Sequence, residues 1–281
     1  MNKNEFVNLC STPPSSSETT RRVLINDVEI KYGSLMEIDN RLRFFKSFGT
    51  ESTEDLNGNF TANEEYYEHL SFLQHTQDKK IFFDVGSSYG IFGLTFSKNE
   101  DTQVYSFDGS VSAYLALHQT MKLNNINNLK HFKMMIGGAD GFVHVAWGKY
   151  QSYQVNGSLD ESIESIAGRS STMEISMKLD TISELFGVVP DCIKIDVEGA
   201  EYNVLLGSSY IIENYRPTLF MEVHPKFLKK FHGHSIYNIY NFFEKYEYKA
   251  IDLFGNEIKD YKKYLETEGS DFNRSVWEPR I

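Results

Sequence analysis

Acidic residues and one histidine recur in this sequence at the ends of short apolar runs. Asp84 follows Ile81-Phe-Phe83, Asp108 follows Val104-Tyr-Ser-Phe107, and Asp196 follows Cys192-Ile-Lys-Ile195. Glu222 and His224 lie at the end of Leu219-Phe-Met-Glu-Val223. Each run reads as a buried strand. In an open α/β sheet, ligands bind beyond the carboxyl ends of the strands, so four polar clusters at four strand ends converge on one crevice. The chemistry on offer is proton transfer by a carboxylate or imidazole, or activation of a hydroxyl by a divalent ion. Asp196, at its strand end, is the residue expected nearest the reaction. Glu222 and His224 are separated by Val223 and share one side of their strand, where they can assist it. Asp196 and Glu222 could also hold Mg²⁺ through oxygen ligands; the residues leave base and metal open. Glu198 and Glu201 fall in the helix start after Asp196, where acids stabilise the helix dipole.

The loop Asp84-Val-Gly-Ser-Ser-Tyr-Gly90 follows a strand and opens a helix. Gly86 allows close backbone approach, and Gly90 lets the next helix pack tightly on the sheet. A dinucleotide fingerprint needs three glycines and a helix N-terminus that holds pyrophosphate. Here two of those positions are glycine, and Asp84 would oppose a pyrophosphate. A carboxylate suits an ammonium instead. S-adenosylmethionine carries an ammonium, a carboxylate and a sulfonium, and no phosphate. Asp108, at the end of the next strand, can accept hydrogen bonds from both ribose hydroxyls.

These clusters need a scaffold, and the pattern supplies one. From Lys80 onward strands alternate with helices, which implies a doubly wound, mostly parallel α/β sheet with right-handed crossovers. Strands are expected at 81–83, 104–107, 132–136, 192–195 and 219–223. Helices are expected at 91–98, 110–124, 179–186, 204–214 and 237–246. Tyr114, Leu117 and Met121 share one helical face, as do Tyr240 and Phe243. Tyr248 to Leu253 and the residues after Asn256 read as a terminal antiparallel hairpin. Strands at 142–147 and 173–177 break the alternation and bound an insertion that could serve as a lid or acceptor site. Residues 1–79 form a small accessory region before a main domain at 80–281. It holds a polar leader with Ser11-Thr-Pro-Pro-Ser-Ser-Ser17, a hairpin turning at Asn26-Asp27, and a helix from Asn63 to Gln74 capped by Asn63.

The segment Pro190-Asp-Cys-Ile-Lys-Ile-Asp-Val-Glu-Gly-Ala-Glu201 resembles the characteristic segment of the FkbM family of S-adenosylmethionine-dependent methyltransferases. Lys178-Leu-Asp-Thr-Ile182 and Met221-Glu-Val-His224 match the elements on either side, and the resemblance runs from about Lys80 to Pro225. It implies a class I, Rossmann-like methyltransferase fold and methylation of oxygen, often on sugars or sugar-bearing natural products. It places Asp84, Gly86, Ser88 and Gly90 at the cofactor loop and Asp108 at the ribose. Ser87-Ser88 stand where members commonly show Ala-Asn, and Asp108-Gly109 where they show Glu-Pro. Serine still donates to a carboxylate, so Ser87 joins the cofactor set, and aspartate still accepts from ribose at shorter reach.

Two other classes compete with this. A nicotinamide-dependent sugar oxidoreductase or epimerase would show a third loop glycine and a Tyr-x-x-x-Lys pair, whereas Tyr246 and Lys249 are only three apart. A non-catalytic glycan-binding module retaining the fold would have no need of acids at Asp196 and Glu222. The acceptor expected is a sugar or glycan hydroxyl, stacked on Trp147, Tyr150 and Tyr153, with Asn156-Gly-Ser158 beyond them. The pair His232-Gly-His234 reads as a solvated turn rather than a metal site.

Length and composition fit this class. The chain has 281 residues, 41% hydrophobic and 24% charged, enough for one sizeable globular domain and an appendage. Its formal net charge of −11, with 28 basic and 39 acidic residues, would repel polyphosphate, so no nucleic-acid partner is expected. Cys10 sits in the polar leader and Cys192 in an apolar strand, so no disulfide is expected. No signal peptide and no stretch of ~20 apolar residues is present, which gives a cytoplasmic expectation without a transmembrane segment.

Overall fold

A computed structural model describes residues 21–33, 35, 47–54, 60–147, 152–155, 171–261, 263–264 and 273–280. The described residues open with the hairpin of β1 (Arg21–Ile25) and β2 (Val28–Tyr32), whose turn residues Asn26 and Asp27 both take positive φ. That is the turn geometry matching the twist of two paired strands. Strands β3 (Ser52–Glu54) and β4 (Phe60–Ala62) pair next, followed by helix α1 (Glu64–His75). Asn63 does precede α1, but its side chain makes no cap; its amide donates to the Ser47 carbonyl instead.

The alternating core then runs β5 (Ile81–Val85), α2 (Ile91–Phe96), β6 (Gln103–Asp108), α3 (Val111–Leu123) and β7 (Leu129–Lys133). The Ser110 hydroxyl caps α3 by accepting from the Ala113 N–H. The strand expected at 132–136 is divided. β7 stays in the main sheet, and β8 (Met135–Ile136) leaves it to join a small sheet with β9 (Gly141–Trp147), β10 (Ser152–Val155) and β11 (Ser171–Met177). Among the described residues the insertion therefore carries three strands, β9 to β11, where the hydrophobic pattern predicts two. It is rooted where Met135 meets Gly109, and β10 packs beside helix α7 described below. The small sheet thus stretches along the carboxyl edge of the main one.

After α4 (Leu179–Phe186) come β12 (Cys192–Ile195), α5 (Glu201–Leu206) and α6 (Ser209–Tyr215). The single helix expected at 204–214 is broken because Gly207 presses on the Gly137 carbonyl, where a Cβ would come within 2.0 Å. β13 (Thr218–Val223), α7 (Pro225–His232), α8 (Ile236–Lys245), β14 (Tyr248–Ile251) and β15 (Asn273–Pro279) complete the chain. β15 pairs antiparallel with both β14 and β13, so the terminal hairpin closes by inserting its last strand into the sheet.

The main sheet has the order β14-β15-β13-β12-β5-β6-β7, with β15 antiparallel to its neighbours. The chain builds outward from β5 to β7, then returns to lay β12 on the other side of β5. The strand order therefore reverses between β5 and β12, where ligands of doubly wound sheets bind. One face, with Phe83, Ile193, Ile195, Met221 and Trp277, packs under α4 to α8. The other, with Phe82, Val104, Cys192, Phe220 and Val276, packs under α1, α2, α3 and the first hairpin. Ile25, Ile30, Phe48 and Phe72 of the accessory region sit in that same cluster, so the region shares a core with the sheet.

His69 of α1 ties this second layer together. Its Nδ1 lies 2.8 Å from the Asn26 amide nitrogen and its Nε2 2.8 Å from the Thr95 hydroxyl, an arrangement a neutral imidazole satisfies. Burial lowers its pKa from 6.5 to about 3. The group is depressed on folding, so its contribution is present above pH 6.5 and is lost as pH falls toward 3. Below pH 6.5 this residue alone is expected to remove up to about 1.4 kcal/mol of stability per pH unit. Urea unfolding between pH 4 and 7 should show that limb, and His69→Gln should flatten it.

Candidate active site

The loop after β5 is built by close approach. Gly86 has φ +77, and a Cβ there would lie 1.7 Å from the Asp196 carbonyl oxygen across the switch point. The Asp196 N–H donates to the Val85 carbonyl at 3.0 Å, while the Gly86 and Ser87 N–H groups donate to the Phe107 carbonyl at 2.9 and 3.1 Å. The loop is thereby stitched to the strand on each side. Gly90, at φ +76, brings α2 so close to α3 that a Cβ would fall 2.5 Å from Leu117 Cδ1. Asp108 is fixed by two backbone donors, Ser88 N–H to Oδ2 at 2.8 Å and Ser110 N–H to Oδ1 at 2.7 Å. Ser88 reaches it from a left-handed conformation, φ +49. Asp84 lies beneath the loop, 1% exposed, rather than on its open side. Burial lifts its pKa to about 7 against the pull of the Lys194 charge and the Gly93 backbone hydrogen bond.

The reaction-centre residues gather at the ends of β12 and β13. Alternation puts Lys194, Asp196, Glu222 and Arg274 on the sheet face that α1 covers. The register sets Glu222 opposite Arg274. Lys194 Nζ is 3.1 Å from Asp196 Oδ2, and Arg274 Nε is 3.1 Å from Glu222 Oε2. His224 sits between acids. Its Nδ1 meets Glu201 Oε1 at 2.8 Å, and its Nε2 faces Glu198 Oε2 at 3.4 Å and Glu222 Oε1 at 3.6 Å. Glu198 is turned inward by a left-handed φ of +52, followed by Gly199, whose Cβ would be 2.7 Å from Phe227 of α7.

Each of these groups is shifted by its surroundings. Burial alone would lower the His224 pKa, but the hydrogen bond and charge of Glu201, with the charges of Glu198 and Asp196, raise it to about 10. Burial lifts Glu222 to about 8, aided by Asp196 and Glu68 and opposed by Arg274 and Lys194. Burial works to raise Asp196 too, yet the charges of Lys194 and His224 hold it below the ordinary carboxylate value. Near neutral pH the site therefore contains an imidazolium, a charged aspartate and a mostly protonated glutamic acid.

Asp196, Glu198 and His224 can bring one ligand atom each within 4.8 Å of one another. This is the group able to hold a metal, with Glu198 in the place the sequence assigns to Glu222. One nitrogen and two carboxylates suit a transition-metal dication better than Mg²⁺, which prefers oxygen alone. A metal here would have to displace the His224 proton.

The structure brings Asp196, Glu222 and His224 together, and places Gly86, Ser87, Ser88 and Gly90 on the adjoining loop with Asp108 at the end of β6 beside it. It changes the part played by two acids. Glu201 is fully buried, its Oε1 taking both the Gly199 N–H and His224, and Glu198 faces His224 from before the helix begins. Lys194, Arg274 and Glu68 were missed. The signal for Lys194 was legible, since a lysine inside a buried strand must meet a carboxylate. His232 and His234 flank an exposed turn at Gly233; both rings lie against the Asn203 side chain, and His232 is buried. Cys192 is buried and free. Tyr150, Cys10, the leader 11–17 and Asn156-Gly-Ser158 lie outside the described residues, as do the side chains of Trp147 and Tyr153. Among the described residues no helix is long and apolar enough to cross a membrane.

Comparisons with known proteins bear on this site. No curated protein sequence matches the chain. Among solved structures, it is similar to the methyltransferase FkbM from Methylobacillus flagellatus KT, with 13% identity and a TM-score of 0.45, covering 72% of this chain and 44% of that one. The chain thus spans less than half the length of that protein. It is also similar to M. jannaschii TYW2 in complex with AdoMet, at 14% identity, TM-score 0.42 and coverage of 94% and 88%. An rRNA methylase from Streptococcus thermophilus shares 9% identity at a TM-score of 0.44, with coverage of 76% and 94%. At the level of sequence, the family described as the Methyltransferase FkbM domain matches residues 84–250, which include the loop, Asp108, Asp196, Glu222 and His224. That match covers more than half of the chain, and the chain belongs to the FkbM methyltransferase domain family.

Proposed function

We propose that this chain is an S-adenosylmethionine-dependent O-methyltransferase whose acceptor is a hydroxyl of a sugar, free or within a glycan. The observation that carries this reading is the juxtaposition at the β5/β12 switch point: a glycine loop with its fixed ribose acceptor, Asp108, beside a carboxylate–imidazole cluster. Membership in the FkbM family sets this reading above a nicotinamide-dependent oxidoreductase. A glycan-binding module would not need His224 locked by a fully buried Glu201. The Ser88 and Ser110 N–H groups hold the Asp108 carboxylate at the strand end, the place where an acid of a doubly wound sheet meets ribose hydroxyls.

Bound there, S-adenosylmethionine supplies an electrophilic methyl group on a sulfonium. The chain's task is to hold the acceptor oxygen in line with that carbon and sulfur, so most of the acceleration comes from positioning. Asp196, charged and about a quarter exposed, accepts the hydrogen bond of the acceptor hydroxyl. Glu222, poised at about 8, is the carboxylate suited to retain a proton near neutral pH. His224, held as imidazolium by Glu201, balances the acids and orients them. The sugar assignment draws support from the net charge of −11, which favours a neutral acceptor, and from the small sheet along the site's edge, which exposes Phe142 opposite Ile175.

Calorimetry with S-adenosylmethionine and S-adenosylhomocysteine should show binding of both. Gly86→Ala should abolish it, because the added Cβ meets the Asp196 carbonyl from a left-handed φ. Binding of neither nucleoside by the parent chain would end the methyltransferase reading. Asp196→Asn should keep S-adenosylhomocysteine binding, weaken S-adenosylmethionine relative to it, and lower kcat by about 10²-fold or more; full turnover in that variant would remove Asp196 from the chemistry. Turnover abolished by EDTA and restored by Mn²⁺ would place a metal on Asp196, Glu198 and His224 in place of the His224 proton. A panel of glycans and nucleotide sugars, scored for transfer of labelled methyl, should yield the acceptor. Methylation confined to RNA, protein or lipid in a parallel panel would overturn the sugar assignment.

A further inference from the structure

Two buried cations lie under the candidate active site, and both are held from outside the family-matched segment. Lys194 Nζ is 3.1 Å from Asp196 Oδ2 and 3.5 Å from Glu68 Oε1, with its side chain only 4% exposed. The Phe92 ring, 4.7 Å from the ammonium, covers it on another side. Arg274 Nε lies 3.0 Å from Glu68 Oε2 and 3.1 Å from Glu222 Oε2, and its Nη atoms reach Glu64 at 2.9 Å and Glu65 at 3.6 Å. Glu68 is therefore the one α1 carboxylate that meets both cations, and it is itself buried. It belongs to the accessory helix and Arg274 to the last strand, whereas the family match runs from 84 to 250.

We propose that Glu68 is a positioning residue of the reaction centre, dividing the charge of Lys194 with Asp196 so that Asp196 keeps a negative field toward a bound sulfonium. A buried ammonium with no access to water must be neutralised by the carboxylates that touch it. With Glu68 present, Lys194 is shared between two acids, while Arg274 anchors Glu68 and Glu222 on the far side. Without the Glu68 charge, the whole of Lys194 falls on Asp196. The sulfonium then meets a neutralised pair instead of a carboxylate. The inference rests on the proposed cofactor, and it concerns a difference between two ligands of similar shape. S-adenosylmethionine is charged at sulfur, and S-adenosylhomocysteine is neutral there.

The test is calorimetry of both nucleosides on the full chain. Glu68→Gln should weaken S-adenosylmethionine about 5-fold relative to S-adenosylhomocysteine, a change of the size expected for one charge redistributed close to the ligand in a partly screened interior. Glu68→Asp, which keeps the carboxylate, should restore the preference to within about 2-fold of the parent. Glu64→Gln removes the outer, solvent-exposed arm of the same guanidinium and should leave the preference unchanged. If Glu68→Gln does not fold, Arg274→Lys serves in its place. It loosens the cation that competes with Lys194 for Glu68, leaves more of the Glu68 charge on Lys194, and should shift the preference toward S-adenosylmethionine; a shift toward S-adenosylhomocysteine would overturn the inference. Equal loss of both nucleosides, or a fall in melting temperature with the preference intact, would reduce Glu68 to a structural role and overturn the inference. Binding of neither nucleoside by the parent chain would instead remove the proposed function, and this inference with it.

Discussion

The ammonium of Lys194 is the constraint around which this structure is arranged. It projects from a central strand and is itself buried, so its charge must be met by protein. Asp196 meets it from the strand end and Glu68 from the accessory helix. Arg274 then becomes necessary, because Glu68 and Glu222 are themselves buried acids that need a cation. A single lysine thereby couples the first helix, three neighbouring strands of the sheet and the candidate reaction centre. Such a network is weak support for stability, since desolvation offsets much of the attraction. Its value lies in fixing where the charges stand.

The second constraint is steric. At the switch point the loop after β5 passes so close to the end of β12 that only glycine fits at position 86. This contact sets the distance between the cofactor loop and Asp196. A larger residue would push the two strand ends apart, and the crevice would no longer join its two halves. The same logic holds at Gly199, which presses the Glu198 turn against α7 and aims Glu198 at His224.

His224 shows how surroundings can reverse a residue's expected behaviour. Burial by itself favours the neutral ring, which could act as a base. Glu201, completely enclosed, tips the balance the other way and holds the ring as a cation among acids. Burial lifts Glu222 to about 8, so near neutral pH that acid is mostly protonated beside the charged Asp196. The charge states of these groups are thus set by packing, and the residue types alone do not assign them.

The sequence by itself determined the doubly wound architecture, because buried strands and amphipathic helices carry periods that any reader of the chain can find. It also determined the loop of Asp84 to Gly90, the strand-end position of Asp108, and the gathering of Asp196, Glu222 and His224, since residues at strand ends share an edge whatever lies between them. It resolved poorly where contacts are made by residues far apart in the chain. The break of the helix at Gly207 depends on Gly137, and the division at Met135 depends on pairing with β11. The final strand enters the sheet from residues well beyond the expected hairpin. Glu201 reads as a helix-dipole acid until α5 is seen to turn it under His224. That Asp84 is buried beneath the loop is likewise decided by packing. Local patterns fix what an element is. Only the tertiary structure decides which charges are buried together, because that depends on register and packing between segments whose separation in sequence carries no signal.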